Sequence, residues 1–133
     1  MTTSAPTARG FALSVLTIVV GAGILNTLIA VAARALGADT TAVPGLTAPA
    51  YLTFTVIGTV LGTLGWSTVR RCAASPSRVM SWLVPLVIVV SLVPDVLIAV
   101  SAGPVAGIAL GLMHLAVLAV ALPTFRHFLP LPR

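Results

Sequence analysis

His114 stands in the middle of the apolar run Ser101 to Phe125 and is its only strongly polar side chain. A neutral imidazole has one donor and one acceptor to satisfy, and hydrocarbon offers neither. Candidate partners lie at matching depth in other apolar runs. Counting ~1.5 Å per residue from the short turn near Ala102-Gly103, Ser91 and His114 come out nearly level, and Asn26 falls close to them. Asp95 is one turn beyond Ser91 on the same helical face, and Arg34 is about a turn further out again. The expected site is a polar cluster of Asn26, Arg34, Ser91, Asp95 and His114 in the outer half of a helical bundle. Ser91 or Asn26 is the expected partner of His114, with Asp95 turned toward water or Arg34. Ionisable groups inside a membrane usually face protein or a wet cavity. Such a cluster is either hydrogen-bonded packing, with Arg34 snorkelling to the interface, or a ligand-binding or proton-handling pocket. If Asp95 does pair with His114, the two titrate together.

Other chemistry finds little to work with. A bis-histidine haem site needs a second histidine at the same depth, and His127 lies about 20 Å further along the same helix. Three protein ligands are typical of catalytic zinc, and only His114 and Asp95 are credible. Cys72 is a lone cysteine, which excludes an internal disulfide, and it has no catalytic partner nearby. Paired carboxylates, a phosphate-cradling glycine loop and Ser-His-Asp spacing are all missing from the sequence. No catalytic residue, metal or cofactor is expected, and the sequence leans against an enzyme.

The elements that must position these residues are membrane spans. Of the 133 residues 59% are hydrophobic and only 7% charged, against about 25% charged in a soluble domain. So few polar groups cannot clothe a globule in water, and lipid becomes the outer solvent. The fold class expected is all-α, a bundle of four transmembrane helices with spans about 11–35, 50–70, 79–100 and 104–126. Residues 1–10 read as a short disordered cytoplasmic tail, 11–129 as one transmembrane domain and 130–133 as a C-terminal tail. Leu36 to Ala50, rich in threonine, proline and glycine, reads as the longest loop, and Arg70 to Ser77 as a basic loop. Pro85 and Pro94 are expected to kink the third span without ending it. Ser101 to Pro104 is so short that the third and fourth spans must form an antiparallel hairpin.

Small residues mark where helices come close. Gly58 and Gly62 form a GxxxG in the second span, beside Thr55, Thr59 and Thr63 at four-residue spacing; Gly103, Gly107 and Gly111 make a stripe in the fourth. Both glycine sets are expected at helix contacts, within the bundle or across a dimer. The net charge of +5 comes from seven arginines against Asp39 and Asp95. The arginines sit singly or in pairs at the ends of apolar runs, which fits topology signals and not a nucleic-acid face. Arg9, Arg70, Arg71, Arg78, Arg126 and Arg133 share one side of an even-numbered topology and Arg34 takes the other, so both termini are expected in the cytoplasm. Trp66, Trp82, Phe11, Phe125 and Phe128 gather at the inner interface and Tyr51 at the outer.

Three short motifs carry a resemblance: Gly-x-x-Gly-Trp closing the second span (Gly62 to Trp66), Ser91-Leu92 followed by Pro94 in the third, and Leu-Met-His-Leu (Leu112 to Leu115) in the fourth. In these the chain resembles a family of uncharacterised four-helix integral membrane proteins of actinobacteria. The resemblance implies a bacterial inner-membrane location and no assigned activity. Length and span count are also similar to those of small multidrug exporters, but those need a glutamate in the first span and this chain has no glutamate. The function expected is that of a non-enzymatic accessory or scaffold protein of the cell membrane, in contact with lipid and packing with itself or another membrane protein. The alternative is a small-molecule or lipid binder or transporter with an outward-facing pocket around His114 and Asp95.

Overall fold

The computed structural model describes residues 8–132. It is all-helical, with α1 (Ala8–Ala35), α2 (Ala48–Cys72), α3 (Pro76–Ala102) and α4 (Pro104–Phe128). Each helix is long and apolar enough to cross a membrane; the shortest, at 25 residues, measures about 37 Å. The spans run two or three residues past most of their expected ends. Pro49, Pro76 and Pro104 fall in the first turn of their helices, where a missing N–H costs nothing and the fixed φ favours helix. Arg70, Arg71 and Cys72, expected in a loop, form the last turn of α2. Ala8 to Gly10, expected in the tail, begin α1; the rest of that tail, and Arg133, lie outside the described residues.

The helices alternate in direction, so the ends of α1 and α4 that lead to the termini share one end of the bundle. Arg9, Arg70, Arg71, Arg78 and Arg126 gather there, and Arg34 sits at the other end. α1 packs against α4 and α2, and α3 leans on α4; α2 meets α3 and α4 only lightly. The apolar core forms two clusters. At the arginine-rich end Ile18, Ala22, Trp66, Met80, Phe125 and Leu129 pack together, with Trp66 stacked on Phe125 at a centroid distance of 5.0 Å. The Trp66 indole, expected near the inner interface, lies at the arginine-rich end and is buried there, its Nε1–H donating to the Leu129 carbonyl at 2.8 Å. That bond, with Arg70 Nε donating to the Pro130 carbonyl at 2.7 Å, ties the chain after α4 to the end of α2.

At the other end the loop between α1 and α2 is part of the core. α1 stops at a left-handed Gly37 (φ 89°) whose successor Ala38 donates to the Ala33 carbonyl, a glycine C-cap. A 3₁₀ turn, Pro44–Leu46, then drops Val43 and the fully buried Leu46 among Ala30, Tyr51, Leu110 and Met113.

Candidate functional site

The α3–α4 hairpin builds the polar site. Gly103 links the two helices at φ 100°, ψ 153°, a conformation open only to glycine. A Cβ added at Gly107 would overlap the Ala99 Cβ, and would lie 2.7 Å from both the Ala99 Cα and the Asp95 carbonyl oxygen. The hydrogen side chain of Gly107 therefore lets the α3 backbone come against α4 at Asp95. One turn on, a Cβ added at Gly111 would lie 3.4 Å from Leu92 Cδ2, ordinary contact distance. At Gly103, expected in the same packed stripe, an added Cβ would meet nothing within 4 Å, and the residue serves the turn.

Held this close, Asp95 Oδ2 lies 2.7 Å from His114 Nδ1. The same ring nitrogen is 3.1 Å from the Leu110 carbonyl, one turn back along α4. One ring nitrogen thus faces two acceptors, and Asp95 Oδ2 has this close contact and no other polar partner. The two side chains differ sharply in exposure: 7% for Asp95 and 40% for His114. The carboxylate is sealed between helices, and the imidazole stands between it and the outside of the bundle. His114 lies about ten residues along α4, roughly 15 Å from its start, so the exposed part of the ring faces the depth where a bilayer offers hydrocarbon. Among the described residues this is the only ion-pair contact, and no three of His, Cys, Asp and Glu come together to hold a metal.

The other members of the expected cluster are elsewhere. Asn26 on α1 is buried, and its Nδ2 donates to Thr55 Oγ1 on α2 at 2.9 Å, while Thr55 donates to the Tyr51 carbonyl. Ser91 donates back to the Ile88 carbonyl at 2.8 Å. Arg34 Nη2 donates to the Leu46 carbonyl at 3.2 Å and so pins the 3₁₀ turn. His114 therefore pairs with Asp95 and with neither Ser91 nor Asn26. Asn26 faces α2, and the Ser91 hydroxyl is taken by its own helix. Gly58 and Gly62 meet no other helix within the bundle: a Cβ added at either would meet nothing within 4 Å. α2 turns its threonine face inward, burying Thr55, Thr59 and Thr63, which leaves its glycines on the outer surface.

Sequence reasoning missed the Tyr51 hydroxyl, which donates to Thr27 Oγ1 at 3.1 Å beside the Asn26–Thr55 bond. It also missed Ser67, a buried side chain one turn past Thr63 whose hydroxyl has no hydrogen-bond partner. The four-residue threonine repeat, continued to Ser67, was the signal for both sides of this seam.

The family described as a family of unknown function (DUF6069) matches residues 6–130. The chain belongs to that family. DUF6069 thus takes in all four helices, the Asp95–His114 pair and the tie between Trp66 and Leu129. No curated protein and no solved structure matches the chain.

Proposed function

We propose that this DUF6069 protein is a non-enzymatic accessory or scaffold protein of the cell membrane, with both termini cytoplasmic, that works by packing laterally against a second copy or another membrane protein. The half-exposed His114 carries this reading. Asp95 and the Leu110 carbonyl occupy Nδ1, and the second ring nitrogen has no partner among the described residues. At this depth lipid cannot supply one, whereas a neighbouring helix can. α3 adds a broad lateral surface, since it buries only Pro76, Met80 and Asp95. The orientation rests on the arginine bias toward one end.

The test is native mass spectrometry from mild detergent, paired with affinity purification. The expected outcome is an oligomer or a stoichiometric membrane partner that His114→Leu removes while the monomer keeps its thermal transition. An unchanged assembly in His114→Leu overturns the reading. The second reading, a small-molecule or lipid binder using Asp95 and His114, is favoured by the unsatisfied Asp95 Oδ2. It predicts a ligand on the monomer that the same substitution removes.

A further inference from the structure

A cleft of about 390 Å³ opens between the first turns of α1 and the last turns of α2, lined by Ala8, Phe11, Leu64, Ser67, Thr68 and Arg71. It lies at the arginine-rich end, far along the bundle from Asp95 and His114. Leu64, Ser67, Thr68 and Arg71 recur at three- and four-residue spacing, so they form one face of α2. The face is graded. Leu64 and Phe11 make its deep part apolar, and Arg71 stands about 10 Å nearer the helix end, at headgroup level.

Two observations point to a ligand. Ser67 is only 8% exposed, and its hydroxyl has no hydrogen-bond partner. In this helix the buried Thr55 and Thr63, and Thr68 beside the cleft, all donate back one turn; Ser67 and the deeper Thr59 do not, and of these two only Ser67 lines the cleft. The second is charge. Arg70 is tied to the Pro130 carbonyl, but Arg71 is exposed and has no partner among the described residues. The chain's two acids offer no neutralisation, since Asp39 is in the loop at the opposite end and Asp95 is on α3. A cation at headgroup level, a free buried hydroxyl one turn deeper and an apolar trough beneath them match one kind of molecule. Basic pockets between transmembrane helices hold anionic lipid headgroups in this manner.

We infer that the α1–α2 cleft is a binding site for an anionic phospholipid, with the phosphate at Arg71, the Ser67 hydroxyl bonded to a headgroup or ester oxygen, and an acyl chain along Phe11 and Leu64. The larger groove at the same end, edged by Arg126 and floored by Trp66 and Met80, serves as the internal control. Ser81 in that groove already donates to the Arg78 carbonyl.

The experiment equilibrates the full chain in mild detergent with equal phosphatidylglycerol and phosphatidylcholine of matched acyl chains, then counts lipid on the monomer peak by native mass spectrometry. Scoring the monomer makes the result independent of lateral association. One retained phosphatidylglycerol is expected. Arg71→Gln should cut its retention about five-fold, the scale of one basic residue at an anionic surface. Ser67→Ala should weaken it as well, Arg71→Lys should keep most of it, and Arg126→Gln should leave it unchanged. Because Arg71 is exposed and the Ser67 hydroxyl unbonded, each variant should keep the parent's thermal transition. Equal retention of both lipids, or equal retention by Arg71→Gln and the parent, overturns the proposal. Displacement of the lipid by millimolar inorganic phosphate also overturns it, since that marks a site for a free anion.

Discussion

Asp39 is the acid outside the spans, and its carboxylate organises the turn that follows. Oδ1 accepts from the Thr41 hydroxyl at 2.6 Å, the Thr41 amide at 2.8 Å and the Ala42 amide at 3.3 Å. These bonds, the Thr41 hydroxyl first, hold the Asp39 carboxyl below its ordinary value. A depressed folded pKa means that the stabilisation is complete above the ordinary carboxylate value and is lost as pH falls through the lowered one. The loop should therefore keep its turn through mildly acidic pH and loosen only below the usual carboxylate range. Thr41→Val removes the leading bond, so the Asp39 titration followed by carboxyl carbon NMR should move upward. An identical midpoint in the variant would show that the hydroxyl contributes nothing. At this scale the sequence was only half legible. Rise per residue placed His114, Ser91 and Asn26 at one height, but height says nothing of which helix each side chain faces. Asp95 and His114 meet because Gly107 admits the α3 backbone, a condition of packing that no single helix displays.

The helices themselves were the most legible part, because about 20 consecutive apolar residues have no other stable use. Their ends were less so. Proline reads equally as a breaker and as a first-turn residue, and the arginines of a helix that outruns the hydrocarbon read as a loop. The two glycine sets looked alike in sequence and differ in structure, which gives a paired test. Adding a methyl in a helix interior is worth about 0.5–1 kcal/mol in favour of alanine. At Gly62 nothing opposes that gain, so Gly62→Ala should hold or raise the thermal transition of the monomer in detergent. At Gly107 the new methyl meets Ala99 and the Asp95 backbone, and overpacking of that kind costs typically about 1–3 kcal/mol. Gly107→Ala should thus lower the transition. Equal transitions in the two variants would mean that α3 is free to shift away from α4 at no cost.

At the scale of the whole molecule, arginine placement and the even number of helices lead to one expectation. Reporters fused after Arg78 and after Arg133 should both read cytoplasm, and one inserted after Asp39 should read the opposite side; the reverse pattern would invert the orientation of the Arg71 cleft as well. The buried loop between α1 and α2 has a consequence for how such a chain is made. Val43 and Leu46 find their seat only partly on α1 and α2. The rest of it comes from Ala106, Ala109, Leu110 and Met113 of α4, and a Cβ on Gly45 would lie 3.2 Å from Leu110. The fourth helix thus completes the resting place of a loop made well before it. Without α4, Pro44–Leu46 loses that part of its seat and should lie open to a protease. A chain stopped before Pro104 should be clipped there, whereas the full chain should resist. Protection of this loop would then report that α4 has taken its place.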